Sequence, residues 1–281
     1  MHFGTKFRRL AVAMACVLPL DAVAAPLSAC GWQSPNVPLG ASPDRPIDRS
    51  MAAPGSVLLM RTDKSGQPQQ CGGVLVGDQW VLTARHCVDR QAWRELRVTY
   101  GSASGQNDRA GGLRFGVAAY CPTKAPDGLR DDIALLRLNA PISPSVPRPK
   151  LPKRAAMMSL GLPELVQFAR WRNVLGPAGN QGLKISPLNI LGRNPLGLLQ
   201  AEMVYRHEAP PCGGESGSGV YRMNGDKPLL VGVLSAIQTP NGKAVCTSAR
   251  TRALITPVAR WYKWITETMA RCAAVDCTKG S

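Results

Sequence analysis

Aromatic residues and histidines are scarce in this chain of 281 residues. Phe, Tyr and Trp together make up 5% of it, and there are three histidines. The hydrophobic fraction of 44% is ordinary for a globular protein, so the shortage of aromatics does not indicate disorder. A zinc-protease site is not encoded, because there is no H-E-x-x-H motif and His207-Glu208 lacks a second histidine one helical turn away.

Acidic residues are also few, with 18 Asp and Glu against 34 Lys and Arg, which gives a net charge of +16. The basic residues are spread along the chain and form no cluster with aromatics, so the pattern argues against a nucleic-acid-binding protein. We expect the charge to keep the protein soluble and to allow at most loose association with anionic surfaces.

The one long apolar run lies near the N-terminus. Residues 10–20 (LAVAMACVLPL) follow a basic segment, are too short to span a bilayer, and lead into the small residues AVAAP. We predict a signal peptide over residues 1–25, cut after Ala24 or Ala25, and hence a secreted or periplasmic protein. A lipobox-like LSAC ending at Cys30 offers the alternative of a lipid anchor, which would leave an odd number of cysteines.

Short apolar runs bounded by turn residues fill residues 56–139. Their length and their β-branched residues are typical of strands in an all-β barrel or sandwich. The runs are SVLLM, GGVLVG, QWVLTA, LRVTYG, LRFGVAAY and DIALLRL. Residues 26–55, rich in Pro, Ser and Gly, are predicted to form an extended leader.

A proline-rich linker is predicted over residues 140–155, since proline fixes φ and removes backbone donors. Strand patterns return within residues 156–256 in LQAEMVYR, SGVYRM and KPLLVGVLSAIQ, whereas no strand can be placed in most of 156–200. Residues 257–281 are predicted to form an amphipathic helix and a tail, because apolar residues follow a Thr-Pro start at helical spacing. Those residues are Val258, Trp261, Tyr262, Ile265 and Met269.

Three motifs carry a family resemblance. TARHC around His86, DDIALLRL around Asp132 and CGGESGSGV around Ser216 resemble, in order, the motifs of the trypsin-like, chymotrypsin-fold serine proteases, of bacterial secreted type. The resemblance implies two six-stranded antiparallel β-barrels packed against each other, with a C-terminal α-helix. It implies serine endopeptidase activity on protein or peptide substrates, without metal or organic cofactor.

The resemblance assigns His86 as general base, Asp132 as its orienting partner and Ser216 as nucleophile. This chemistry requires a base to take the serine proton and a carboxylate to hold the imidazole. Asp131 is the rival for the carboxylate, but the family places the aspartate directly before the Ile-Ala-Leu-Leu strand. The N–H groups of Gly214 and Ser216 are expected to form the oxyanion hole.

Two residues depart from the family pattern beside this triad. Glu215 stands where the family has an aspartate that pairs in many members with an N-terminal amine released by zymogen cleavage. Residues 40–57 hold no Ile-Val-Gly-Gly-like segment, so we predict that other contacts order the loop. Arg85 replaces a small residue beside His86, and its side chain is expected to be exposed.

The specificity pocket is predicted from the same resemblance. Pro210 stands where trypsins carry aspartate, and Ser235, Ala236 and Ile237 would form the far wall, with Ile237 narrowing the entrance. Small or medium apolar residues are therefore expected to be preferred over Lys and Arg.

Four disulfides are expected after the signal peptide is removed. Cys71–Cys87 and Cys212–Cys246 match bridges of the family, whereas Cys30–Cys121 and Cys272–Cys277 are pairs of the remaining cysteines. The alternative function is a catalytically silent homologue that binds proteins, suggested by Glu215, Arg85 and the narrowed pocket.

Overall fold

Thirteen strands, two short 3-10 turns and one α-helix make up the described part of the chain in this computed structural model. The structure describes residues 29–33, 53–62, 65–88, 96–101, 112–122, 128–153, 162–172, 182–205, 207–224, 228–239 and 251–274. The predicted signal peptide over residues 1–25 lies outside these ranges.

The first barrel is built from the six predicted apolar runs of residues 56–139. Its strands pair antiparallel in the order β6-β5-β2-β3-β4-β7, and pairing of β6 with β7 closes the barrel. The strands are β2 (Ser56–Thr62), β3 (Pro68–Gly77), β4 (Trp80–Thr83), β5 (Leu96–Tyr100), β6 (Gly112–Tyr120) and β7 (Ala134–Leu138). Alternate apolar side chains, among them Val57, Leu75 and Leu136, fill the interior.

Part of the predicted leader is a strand of this sheet. Strand β1 (Ala29–Gln33) pairs antiparallel with β6, where Ala29 lies opposite Tyr120, and a disulfide joins Cys30 to Cys121. The leader is therefore not wholly unpacked, because a bulged β6 offers backbone groups to a further strand. The disulfide occupies the Cys30 sulfur.

The second barrel contains two strands that the sequence pattern does not reveal. Its closed order is β10-β13-β12-β11-β8-β9. The strands are β8 (Glu164–Trp171), β9 (Leu183–Arg193), β10 (Leu199–Met203), β11 (Gly219–Arg222), β12 (Leu229–Gln238) and β13 (Arg252–Pro257). Strands β8 and β9 occupy the stretch in which no strand was predicted. The two closed barrels confirm the predicted chymotrypsin-like fold.

The proline-rich connection is attached to both barrels over its described residues 140–153 and makes a turn in which the Val146 N–H donates to the Ser143 carbonyl. The Arg114 guanidinium on β6 donates to the Pro141 carbonyl at 2.9 Å. Farther along, the Lys150 N–H donates to the Pro228 carbonyl at 3.0 Å, and the Leu230 N–H donates to the Lys150 carbonyl at 2.9 Å. The connection therefore runs from the first barrel to the start of β12.

The C-terminal helix α1 (Val258–Ala274) begins directly after Pro257 and confirms the predicted amphipathic helix. Val258 and Ile265 are fully buried in an apolar cluster that also contains Leu82, Leu135 and Val233. Because this cluster draws on both barrels, it packs them against each other. In the described residues, no helix is long and apolar enough to cross a membrane.

Candidate active site

His86 lies in a 3-10 turn directly after the buried strand β4. The turn is Arg85–Cys87, and Cys87 forms a disulfide with Cys71 on the neighbouring strand β3. This bond fixes the turn to the barrel wall. The His86 side chain is 47% exposed, so its ring is open to a substrate.

Arg85 is buried, with 4% of its surface exposed, so the expectation of an exposed Arg85 is wrong. Successive side chains of a tight turn point in different directions, and here His86 faces solvent while Arg85 and Cys87 face inward. The general preference of arginine for the surface does not account for this geometry.

Asp132 holds His86 through three hydrogen bonds. Its Oδ2 lies 2.9 Å and its Oδ1 3.1 Å from His86 Nδ1, and Oδ1 also accepts the His86 backbone N–H at 3.0 Å. Because the carboxylate faces Nδ1, it favours the tautomer with the proton on Nδ1 and the lone pair on Nε2. The ring is therefore oriented to accept a proton at Nε2.

The second barrel in turn holds Asp132. The Ser235 hydroxyl on β12 donates to Oδ2 at 2.6 Å, and the Thr256 hydroxyl on β13 donates to the Asp132 carbonyl at 3.1 Å. Ser235, predicted as a pocket wall, thus contacts the carboxylate. Asp131 instead lies 3.6 Å from the Arg260 guanidinium of helix α1. The structure therefore brings Asp132, and not Asp131, to His86.

Burial tends to raise the pKa of Asp132, because removal from water disfavours the charged form. Hydrogen bonding and charge attraction from His86, and the hydrogen bond from Ser235, outweigh burial and hold the pKa of Asp132 below its usual value. These contacts therefore favour the ionised form of the Asp132 carboxylate.

Ser216 is half-buried in a loop fixed to both barrels. The Gly72 N–H of β3 donates to the Ser216 carbonyl at 2.7 Å, and the Gly217 N–H donates to the Leu234 carbonyl of β12 at 2.7 Å. Gly217 has a φ of +81°, and a Cβ there would lie 2.2 Å from Thr83 Oγ1. Only glycine fits, so the loop can pack against the end of β4, three residues before His86.

The backbone N–H groups of Gly214 and Ser216 donate to no acceptor among the described residues. Gly214 has a φ of +86°, a conformation that favours glycine. Unused N–H groups beside a serine are what an oxyanion hole requires. Within the described ranges no hydrogen bond joins His86 to Ser216, a contact that often tightens only when substrate binds.

Glu215, between these two amides, is 2% exposed and turned inward. Its Oε2 accepts the Cys212 N–H at 2.9 Å. Arg170 Nη1 lies 3.7 Å from Oε2, and Arg172 Nε lies 3.6 Å from Oε1. Burial raises the pKa of Glu215, while Arg170, the Cys212 N–H and Arg172 act to lower it. No motif marks either arginine; the available signal is their spacing of two, with Arg170 in β8 and Arg172 directly after it, which favours side chains on the same side of the chain.

One cluster of potential metal ligands occurs in the described part of the chain. Cys71, His86 and Cys87 have ligand atoms within 4.8 Å of one another. The two cysteines are joined in a disulfide and hence offer no thiolate to a metal.

An open cavity of about 560 Å³ lies beside the predicted pocket wall. It runs between Ile237–Thr239 at the end of β12 and Asn194–Leu196 in the β9–β10 turn. Of the four residues predicted for the pocket, Ile237 is the one among its described lining residues. Pro210 is buried, and Ala236 is half-buried.

Two further cysteines, Cys212 and Cys272, are disulfide-bonded. Their predicted partners, Cys246 and Cys277, lie outside the described residues.

Comparison with known proteins gives consistent matches. The model of the Trypsin family matches residues 47–265. Human granzyme M is 32% identical over 227 residues, which cover 72% of this chain and 80% of that protein. Human kallikrein-7 is 26% identical over 233 residues, which cover 81% of this chain and 88% of that protein. Both are human proteins, so the expected bacterial secreted type stays a prediction.

A solved structure of HL collagenase superimposes with a TM-score of 0.62 at 20% identity. The match covers 80% of this chain and 97% of that one, and it concerns the fold alone.

Proposed function

Because the chain belongs to the trypsin family and is a serine endopeptidase, we propose that His86, Asp132 and Ser216 are its catalytic triad. The observation that carries the proposal is the hydrogen-bonded His86–Asp132 pair, which lies beside the Ser216 loop at the junction of the two barrels.

The proposed reaction proceeds through an acyl-enzyme. Ser216 Oγ attacks the carbonyl carbon of the scissile peptide bond while His86 Nε2 takes the serine proton. The N–H groups of Gly214 and Ser216 stabilise the negative charge that develops on the carbonyl oxygen. His86 then gives the proton to the leaving amine, and a water molecule deacylates Ser216 by the same route in reverse.

Covalent labelling tests the nucleophile. A fluorophosphonate probe is expected to label the folded protein at one site, and Ser216→Ala is expected to abolish labelling, because the activated hydroxyl is lost. Ser218→Ala, two residues along the same loop, is the matched control and should retain labelling. Persistent labelling of Ser216→Ala would contradict the assignment, and a folded but unlabelled wild type would favour a catalytically silent binding homologue.

We propose that this endopeptidase prefers small or medium apolar residues on the amino side of the scissile bond. Pro210 brings no charge to the pocket. The carboxylates of the nearby residues Glu208 and Glu215 ion-pair with Arg170, so neither is free to attract a basic substrate. Ile237, half-buried beside the open cavity, would add an apolar surface.

Profiling of a peptide library tests this preference. Peptide bonds after Ala, Val or Leu are expected to be cleaved in preference to bonds after Lys or Arg. The reason is that the proposed pocket offers no unpaired carboxylate to bind a basic side chain. Ile237→Gly is expected to admit larger apolar residues. A dominant preference for Lys or Arg in the wild-type profile would show that the pocket assignment is wrong.

We further propose export of the protein through the segment of residues 1–25. Disulfides such as Cys30–Cys121 and Cys71–Cys87 form and persist in an oxidising compartment, which supports this location.

A further inference from the structure

The loop that carries the proposed nucleophile has an acidic side chain at its centre. Glu215 lies between the two N–H groups proposed to bind the oxyanion, and its carboxylate is turned away from the site into the protein. The conformation of Gly214 and Ser216 therefore depends on where this carboxylate is held. A buried carboxylate needs compensating charge or hydrogen bonds, because its desolvation is costly.

Strand β8 supplies that charge from its C-terminal end. Arg170, itself 2% exposed, and Arg172, the residue after the strand, lie against different carboxylate oxygens of Glu215 at 3.7 and 3.6 Å. Both guanidinium groups also donate to the Ala209 carbonyl, at 2.9 Å from Arg170 and 3.4 Å from Arg172. The two arginines thus bind the segment before the nucleophile at two points.

A neutral contact holds the same loop from the first barrel. Gln70 Nε2 on β3 donates to the Trp171 carbonyl at 2.8 Å and to the Gly214 carbonyl at 3.3 Å. Gln70 therefore links the backbone between the two arginines to the glycine whose N–H is proposed for the oxyanion hole.

We propose that Arg170 and Arg172 are positioning residues that hold Glu215 and thereby keep the Gly214 and Ser216 N–H groups aimed at the oxyanion. The loop is then held by charges built into strand β8, without an ammonium group released by cleavage of the chain. The inference rests on the proposed function of Ser216 as nucleophile.

The ion pairs of Glu215 with Arg170 and Arg172 are expected to fix the position of the loop more than they raise the free energy of unfolding. Buried ion pairs contribute little net stability, because desolvation offsets their attraction, yet removal of one partner leaves an uncompensated charge. Without Arg170, Glu215 would take up a proton or turn toward water, and either change would move the backbone on both sides of it. The expected effect is therefore on kcat, since the oxyanion hole acts in the transition state.

Arg170→Met tests the inference. It is expected to lower kcat by about 10²-fold, the loss associated with one oxyanion donor, and to leave KM near the wild-type value. Arg172→Met, at a position 16% exposed, is expected to give a smaller loss of the same kind. Arg222→Met is the matched control, because Arg222 pairs with Glu164 in the same barrel away from the loop, and its kcat should not change.

The double variant Arg170→Met/Glu215→Gln separates positioning from folding. It removes both charges, so a folded protein is expected even if Arg170→Met alone does not fold, and its kcat should remain lowered. A kcat at the wild-type level in folded Arg170→Met, or in the folded double variant, would overturn the inference. If fluorophosphonate labels wild-type Ser216, the proposed function stands whatever these variants show.

Selective acetylation of the α-amino group of the active protein tests the claim that the loop is held without an N-terminal ammonium group. Activity is expected to be unchanged, since no N-terminal ammonium is required. Loss of activity on acetylation, or a buried new N-terminus ion-paired with Glu215 in active protein, would overturn the inference.

Discussion

Replacement of His86 by alanine is expected to lower kcat by about 10⁶-fold. The reason is that the Asp132 carboxylate holds Nδ1, which leaves Nε2 as the proposed base for the Ser216 proton. Without that base the hydroxyl is a poor nucleophile near neutral pH. The measurement is single-turnover and steady-state kinetics on a peptide that wild-type protein cleaves.

The double variant His86→Ala/Ser216→Ala sharpens this test. Residues that act as one catalytic unit give losses that do not add, so the double variant is expected to be no slower than His86→Ala. His207→Ala is the control for loss of a histidine, since His207 is exposed and stacks on Tyr205. Equal losses in His86→Ala and His207→Ala, or a further large loss in the double variant, would contradict the triad.

Asp132→Asn is expected to lower kcat by about 10⁴-fold, because an amide at this position can donate to Nδ1 and thereby favour the wrong tautomer. This loss corresponds to about 5 kcal/mol of transition-state stabilisation. Asp131→Asn is the matched control, since Asp131 is buried beside its neighbour but ion-pairs with Arg260. A similar loss of kcat in the two variants would show that the aspartate has been assigned wrongly.

The pH dependence of stability gives a second measurement on Asp132→Asn. The pKa of Asp132 is lower in the folded protein than its unfolded value of about 3.9. Its ionisation therefore stabilises the fold above that pH, and the contribution is lost as pH falls through the folded pKa. Denaturant titrations across the acid range are expected to show a shallower fall in the free energy of unfolding for Asp132→Asn than for wild type.

The sequence predicts the first barrel well because its strands are short, apolar and separated by turn residues. Strands β8 and β9 escape the same reasoning. Strand β9 contains Pro187, which normally argues against a strand interior. Here Pro187 lies opposite Gln167 of β8, and its carbonyl accepts the Val204 N–H at 3.1 Å. A strand in a barrel wall can therefore contain a proline, which lacks an N–H donor, although a proline in the sequence argues against a strand.

In the candidate site too, some residues can be predicted from the sequence and others cannot. Motifs single out His86, Asp132 and Ser216 as the proposed triad, because the residue types that the chemistry requires stand in motifs that resemble those of the family. The residues that support them come from distant segments, as Ser235 does for Asp132 and Arg170 for Glu215. Such contacts depend on how distant segments pack in the folded protein, which local sequence patterns do not reveal. The burial of Arg85 escaped prediction for a different reason, which is the geometry of the 3-10 turn that carries it.

Both barrels hold Asp132, so the proposed triad is complete only when the two barrels are associated. The residue belongs to the first barrel, yet Ser235 and Thr256 of the second barrel fix its carboxylate and its carbonyl. The disulfides Cys30–Cys121 and Cys71–Cys87 both close within the first half. If Asp132 acts as proposed, hydrolytic activity requires the association of the two halves, and either half in isolation is expected to be inactive.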